Sequence, residues 1–189
     1  MDTSDKEAPD VLASRDVYVG RIFTVSVDEV REGEVVYERD VVRHPGSAAI
    51  VAAHDDGTVS LVRQYRHPAV KYLLEIPAGS RNVEETPEES AARELEEELG
   101  LVADSLVKIV EFFVSPGFCA EKMWVYLATG LRDTRQQLED DEVIEIVRLS
   151  WARLFEMIAD NEIEDAKTII GITLGAKYLG IAVPEEIGL

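Results

Sequence analysis

The sequence predicts an α/β fold in which a mixed β-sheet carries helices on its faces. Three observations predict it. Alternating or wholly apolar runs of strand length recur between residues 17 and 76. A helix with clear start and stop signals follows at 87–99. Beyond it, three more apolar runs lead into two capped helices. With 189 residues and 46% hydrophobic composition, the chain suits one domain of ordinary size with a substantial core. We expect a flexible N-terminus over residues 1–15, frayed over the first ten, and a single domain over 16–189.

Taken in order, strands are expected at residues 17–27, 35–43, 48–53 and 59–65, the last two joined by the turn signal Asp55-Asp56-Gly57. A short strand at 72–76 runs into Pro77-Ala78-Gly79. Thr86 then supplies an N-cap, Pro87 the first helical residue and Glu89, three residues after Thr86, the partner in a capping box, so a helix starts here. Gly100 supplies a left-handed C-cap, which ends the helix at about residue 99. Ala91, Ala92, Leu95 and Leu99 can face a core. Later strands are expected at 106–114, 123–128 and 144–149. Ser150 can cap a helix over 151–159 and Asp165 another over 166–179.

The helix at 87–99 carries the chemistry. Glu94, Glu97 and Glu98 stand at i, i+3 and i+4, so their carboxylates are neighbours, and like charges at that spacing destabilise a helix unless something positive sits among them. Arg93 can pair with Glu97, but one guanidinium cannot neutralise the cluster. Hard divalent cations such as Mg2+ take oxygen ligands at carboxylate-rich sites and leave positions for water or substrate phosphate. A glutamate run is ordinarily only a solvated helix face. Glu84, Glu88, Glu89 and Glu96 are assigned to solvent and capping.

What separates this run from an ordinary one is its frame. Gly79, Glu85, Arg93, Glu94, Leu95, Glu97, Glu98, Gly100 and Leu101 stand at the spacing G-x5-E-x7-R-E-U-x-E-E-x-G-U, U being apolar. At this chain's own composition a chance match is on the order of one in 10^8 per starting point. The segment resembles the defining motif of the Nudix hydrolases. That resemblance implies an α/β/α sandwich with a mixed sheet, an N-terminal antiparallel sheet, and the motif as loop, helix, loop. It also implies metal ligation by Glu94, Glu97, Glu98 and the carbonyl of Ala78, with Arg93 and Glu85 organising the catalytic apparatus.

Features outside the motif are similar to the ADP-ribose pyrophosphatase branch. Pro116, in Ser115-Pro116-Gly117, lies fifteen residues after Leu101, as a proline does in that branch. Arg63-Gln64-Tyr65-Arg66-His67-Pro68, followed by Leu74-Glu75-Ile76-Pro77-Ala78-Gly79, resembles the stretch that carries a substrate-binding arginine into the motif. Tyr37-Glu38-Arg39-Asp40-Val41-Val42 resembles a strand whose arginine reaches substrate, often across a dimer interface. The resemblance thus implies substrate contacts from Arg39, Arg66, Glu75 and Pro116, and a homodimer. Arginine suits a pyrophosphate because its planar fork binds phosphate oxygens in pairs. Arg43 shares a strand face with Arg39 and is the alternative to it. His67 reads as a surface residue.

The implied reaction is Mg2+-dependent hydrolysis of ADP-ribose to AMP and ribose 5-phosphate, with Mn2+ or another divalent cation as a substitute. The general base would come from the acidic loop Glu139-Asp140-Asp141-Glu142, with Glu142 favoured and Glu139 or Asp140 as alternatives. Two other readings compete. One is a pyrophosphatase for another nucleoside diphosphate sugar such as GDP-mannose, and the other is a nucleotide sensor that does not hydrolyse. The intact motif carboxylates and the lack of a basic DNA-binding segment oppose the sensor.

Composition sets the outer limits. A formal net charge of -19 excludes nucleic acid and anionic membranes as natural partners, since both are held by basic patches. The same charge makes an anionic substrate depend on cations placed locally. The N-terminal MDTSDKEAPD has no apolar run behind a basic start, so neither a signal peptide nor a membrane span is expected. The single cysteine, Cys119, excludes an internal disulfide and fits a reducing cytoplasm.

Overall fold

The structure, a computed structural model, describes residues 7–138 and 143–187. The chain divides into two compact units, Met1–Gly46 with Phe113–Lys122, and Ser47–Phe112 with Met123–Leu189. Among the described residues no helix is long and apolar enough to cross a membrane.

The first unit is built on an antiparallel sheet of β1 (Asp10–Val19), β2 (Thr24–Glu32) and β3 (Val35–Arg43) in that order. Where the sequence suggests one strand at 17–27, the chain reverses between Val19 and Thr24. Gly20 N donates to Phe23 O at 3.0 Å across this turn. Residues 10–16 are strand as well, although their apolar residues Val11, Leu12 and Ala13 are consecutive and do not alternate, and every side chain of β1 is exposed. The unit also holds a polar seam. Asp28 accepts from Ser14 Oγ at 2.6 Å and from Arg43 Nη2 at 2.5 Å. Segment 113–122 joins the sheet through Val42, whose N–H donates to Phe118 O while its carbonyl accepts from Ala120 N.

The second unit holds a seven-stranded mixed sheet. Its strands are β4 (Ser47–Ala53), β5 (Thr58–Arg66), β6 (Lys71–Glu75), β7 (Ala78–Ser80), β8 (Leu101–Phe113), β9 (Lys122–Asp133) and β10 (Ile144–Ser150). The order is β10-β5-β4-β9-β8, with β6 on β5 and β7 on β4. Central β4 runs antiparallel to β5 and parallel to β9, and all seven of its residues are buried, as a strand covered on both faces must be. Alternation sorts them. Ala49, Val51 and Ala53 enter the core cluster with Trp151, Leu154, Phe155, Ile172 and Ala176. Those five come from α2 (Trp151–Ala159) and α3 (Ala166–Tyr178). Ala48, Ile50 and Ala52 enter a second cluster with Ala91, Leu95 and Leu99 of α1 (Pro87–Leu99). The layers are therefore helix, sheet, helix, and each buried leucine contributes about 1.5–3 kcal/mol.

The predicted helix bounds at 87–99 and 151–159 coincide with the observed ones, while β8 begins five residues earlier than expected, directly after Gly100. One core assignment fails. Ala92 is exposed and Ser90 is buried, because the buried arc of α1 is centred near Ala91 and Glu98 and not on Leu95. That displacement draws two carboxylates into the interior.

Candidate active site

The N-terminus of α1 is fixed by the expected box. Thr86 Oγ1 accepts from Glu89 N at 3.2 Å, and Glu89 Oε2 accepts from Thr86 N at 2.8 Å. Gly100 closes the helix at φ 64°, and its N–H donates to Glu96 O at 2.9 Å. The segment after β9 then binds the last-turn carbonyls that a helix leaves without partners. Thr134 N donates to Gly100 O at 2.7 Å, Gln137 N to Glu97 O at 3.0 Å, and Gln136 Nε2 to Glu98 O at 2.6 Å.

Arg93 is the hub of the acidic end. Its Nε and Nη2 fork onto Glu85 at 2.8 and 3.1 Å, Nη1 donates to Glu94 at 2.6 Å and to Glu97 at 2.7 Å, and Nη2 also reaches Ser80 O at 3.2 Å. Hydrogen bonding from Arg93 is the main reason that the Glu85 carboxyl is held down at about 2. Glu85 in turn leads the groups that hold Arg93 above its ordinary value. The loop is pinned from its other side by Arg81, whose Nη1 donates to Glu85 O at 2.6 Å, and by Asn82 N, which donates to Glu85 Oε2 at 3.1 Å.

Glu94 and Glu98 sit on consecutive turns of the buried face, 6% and 3% exposed, whereas Glu97 stays half-buried beside Arg93. Two backbone features admit them. A Cβ on Gly79 would lie 2.0 Å from Glu94 Oε1, so only glycine lets that carboxylate approach β7. Ala78 N donates to Glu98 Oε2 at 3.2 Å, and β7 is itself held by pairing of Ala78 with Ala49.

This donor set fits a hard divalent cation. It consists of carboxylate oxygens, with no imidazole or thiol among the motif residues, and one guanidinium serves Glu85, Glu94 and Glu97 together. Among the described residues no three acidic, histidine or cysteine side chains converge on one point, since Arg93 draws both Glu94 and Glu97 to its Nη1.

A second charged cluster lies at the end of β5 and β6. Glu75 is 1% exposed, and Arg66 forks onto it with Nε and Nη2, both at 2.8 Å. Lys167, at the start of α3, donates to the same carboxylate and lies 3.0 Å from Asp165 Oδ1. Burial pushes the Glu75 carboxyl up, but Arg66 and Lys167 outweigh it and hold the carboxyl below its usual range. Glu75, followed by Glu98 and Asp165, holds Arg66 firmly protonated. Ile76 N donates to Thr168 Oγ1 at 2.8 Å, tying this strand to α3 two residues before Ala78.

The structure thus brings Glu85, Arg93, Glu94 and Glu97 into one cluster, with Glu98 alongside, and places Arg66 and Glu75 in another within the same unit. Arg39 and Pro116 belong to the first unit. The Arg39 guanidinium is exposed and lies over the Tyr37 ring at 4.1 Å, while its alternative Arg43 is committed to Asp28 and Ser26. Pro116 lies in a turn where Phe118 N and Cys119 N both donate to Ser115 O. Glu142, Glu139 and Asp140 lie outside the described residues. Sequence reasoning missed Lys167. The one signal for it was a lysine in the first turn of a helix, where the macrodipole disfavours positive charge.

The chain matches the NUDIX domain family over residues 43–170. It is 35% identical over 164 residues to the ADP-ribose pyrophosphatase of Bacillus subtilis (strain 168), covering 85% of this chain and 89% of the relative. It is 33% identical to the methanol dehydrogenase activator of Bacillus methanolicus, with the same coverage. Against the GDP-mannose pyrophosphatase of Yersinia enterocolitica it is 35% identical, covering 77% of this chain and 76% of the relative. A solved structure described as an ADP compounds hydrolase matches with a TM-score of 0.80 at 23% identity, over 94% of this chain and 97% of that one, which establishes the fold. With the complete motif folded as described and the family match spanning most of the chain, this protein belongs to the Nudix family and is a Nudix hydrolase.

Proposed function

We propose that this Nudix pyrophosphatase hydrolyses ADP-ribose to AMP and ribose 5-phosphate with Mg2+, acting as one domain from residue 16 onward. The observation that carries the reading is the pair of buried carboxylates, Glu94 and Glu98, seated against Gly79 and Ala78, with Glu94 held by the Arg93 guanidinium. Similarity to an ADP-ribose pyrophosphatase over most of both chains supports the choice of substrate.

Glu94, Glu97, Glu98 and the Ala78 carbonyl would hold the metal, and Mn2+ would substitute. A bound divalent cation supplies charge neutralisation for the pyrophosphate and acidifies water. Arg93 keeps the carboxylates turned together and ties them to the Glu85 loop, the supporting shell that such sites need. Arg66 and Arg39 bind phosphate oxygens, and Pro116 shapes a loop beside the substrate. Glu142 takes the proton of the attacking water, with Glu139 and Asp140 as alternatives on that loop.

The reading also includes a homodimer formed through the first unit. Supporting it, β1 is exposed along its whole length and carries Val11, Val17, Tyr18 and Val19, more apolar surface than an isolated strand ordinarily leaves in water. Sedimentation velocity yielding a monomer at micromolar concentration overturns this part.

The deciding experiment is product analysis over a panel of nucleoside diphosphate sugars. ADP-ribose is expected to have the highest kcat/KM. The relative named for GDP-mannose favours that sugar nucleotide as the second reading, and a preference for it would replace the first.

A further inference from the structure

Lys167 occupies a place that helix electrostatics argue against. It is the second residue of α3, beside the N-cap Asp165, where the backbone N–H groups already present positive charge, and its side chain is only 11% exposed. Buried charge is retained there only if its partners compensate. Its partners are Glu75 and Asp165, and Asp165 is also engaged by Thr168 N at 3.0 Å. Glu75 in turn grips Arg66 by Nε and Nη2 alone, leaving the edge with Nη1 as the one that can meet a second anion. Among these four groups two cations balance two carboxylates. Without Lys167 the balance becomes one negative charge, in a chain whose net charge is -19 and with Glu98 acting on Arg66.

Resting on the reading of this site as a pyrophosphatase, we propose that Lys167 is a positioning residue for the substrate. By sharing the Glu75 carboxylate, it holds Arg66 in one orientation and keeps the cluster electrically neutral, so that Arg66 remains attractive to an anionic diphosphate. Lys167 acts through Glu75 and Arg66 and touches no reacting atom.

The test compares wild type, Lys167→Met, Lys167→Arg, Glu75→Gln and the Glu75→Gln/Lys167→Met double variant, with ADP-ribose at saturating Mg2+ and thermal melts alongside. Lys167→Met is expected to raise KM about tenfold or more while kcat changes far less, and Lys167→Arg to restore most of it. Adding Lys167→Met to Glu75→Gln should bring little further change. A fall in kcat at unchanged KM, as loss of folded protein would give, overturns the proposal, and so does full additivity. A second readout does not depend on the substrate. The 15N resonance of the Arg66 Nε–H should be sharp and protected in wild type and Lys167→Arg, and averaged in Lys167→Met. An unchanged resonance in Lys167→Met overturns the positioning role. Wild-type protein inactive on ADP-ribose overturns the substrate reading instead, and the resonance still decides the role of Lys167.

Discussion

Around Arg93 one guanidinium serves Glu85, Glu94 and Glu97, with buried Glu98 on the next turn of the same helix. Around Glu75, in the same unit, two cations meet two carboxylates. Both clusters combine buried carboxylates with a half-exposed arginine that forks onto a carboxylate, so burial does not distinguish them. Charge balance does. In the first, one guanidinium is shared among three carboxylates, an oxygen-rich donor set of the kind that suits a hard divalent cation. The second neutralises itself and has no need of one. The contrast separates the region proposed to receive a metal from the region proposed to aim an arginine.

Substitutions that alter the acid-rich cluster should have the largest effects. Glu98→Gln removes a buried carboxylate without changing its shape, and turnover should fall by more than about 10²-fold with the melting temperature held or raised. Next comes Gly79→Ala, whose added methyl would meet the Glu94 carboxylate at 2.0 Å. We expect a loss of about 1–3 kcal/mol in denaturant unfolding, together with weaker metal dependence of the rate. Arg93→Lys keeps the charge but loses the fork that spans Glu85, Glu94 and Glu97, and activity should drop about 10- to 100-fold at near-normal fold.

Smaller effects are expected at the loop and cap that flank the acid-rich cluster. Glu85 has its folded value depressed to about 2 from an ordinary 4.5, so its contribution to stability is complete above about pH 4.5 and is lost as the pH falls toward 2. Melting curves between about pH 5 and pH 3 should therefore steepen in wild type and flatten in Glu85→Gln. Equal slopes would separate Glu85 from the Arg93 cluster. Smallest of all, Thr86→Ala should cost about 1 kcal/mol in chemical denaturation and leave kcat nearly unchanged, since it removes a cap and no charge.

Local signals carried much of the structure. Thr86, Pro87, Glu89 and Gly100 fix α1 by contacts within a few residues, so its ends were legible to the residue. Ser150 and Asp165 did the same for the starts of α2 and α3. β1 was not legible, because its stability comes from backbone pairing with β2 and its side chains face solvent, leaving no apolar rhythm to read. Within the site, the spacing of Glu85, Arg93, Glu94, Glu97 and Glu98 announced a cluster. It did not reveal that Glu94 and Glu98 are buried while Glu97 is not. That follows from where the sheet meets the helix, which shifts the buried arc from Leu95 toward Ala91 and Glu98. Lys167 was hidden for a related reason. Its partner Glu75 lies 92 residues away, and only the docking of α3 against β6 brings them together.

Pyrophosphatase activity at the Glu98 site is decided by AMP release from ADP-ribose and Mg2+, followed in parallel for wild type and Glu98→Gln at matched circular dichroism. AMP and ribose 5-phosphate are expected in equal amounts from wild type and almost none from the variant. No AMP from wild type, or an undiminished rate from Glu98→Gln, contradicts that assignment.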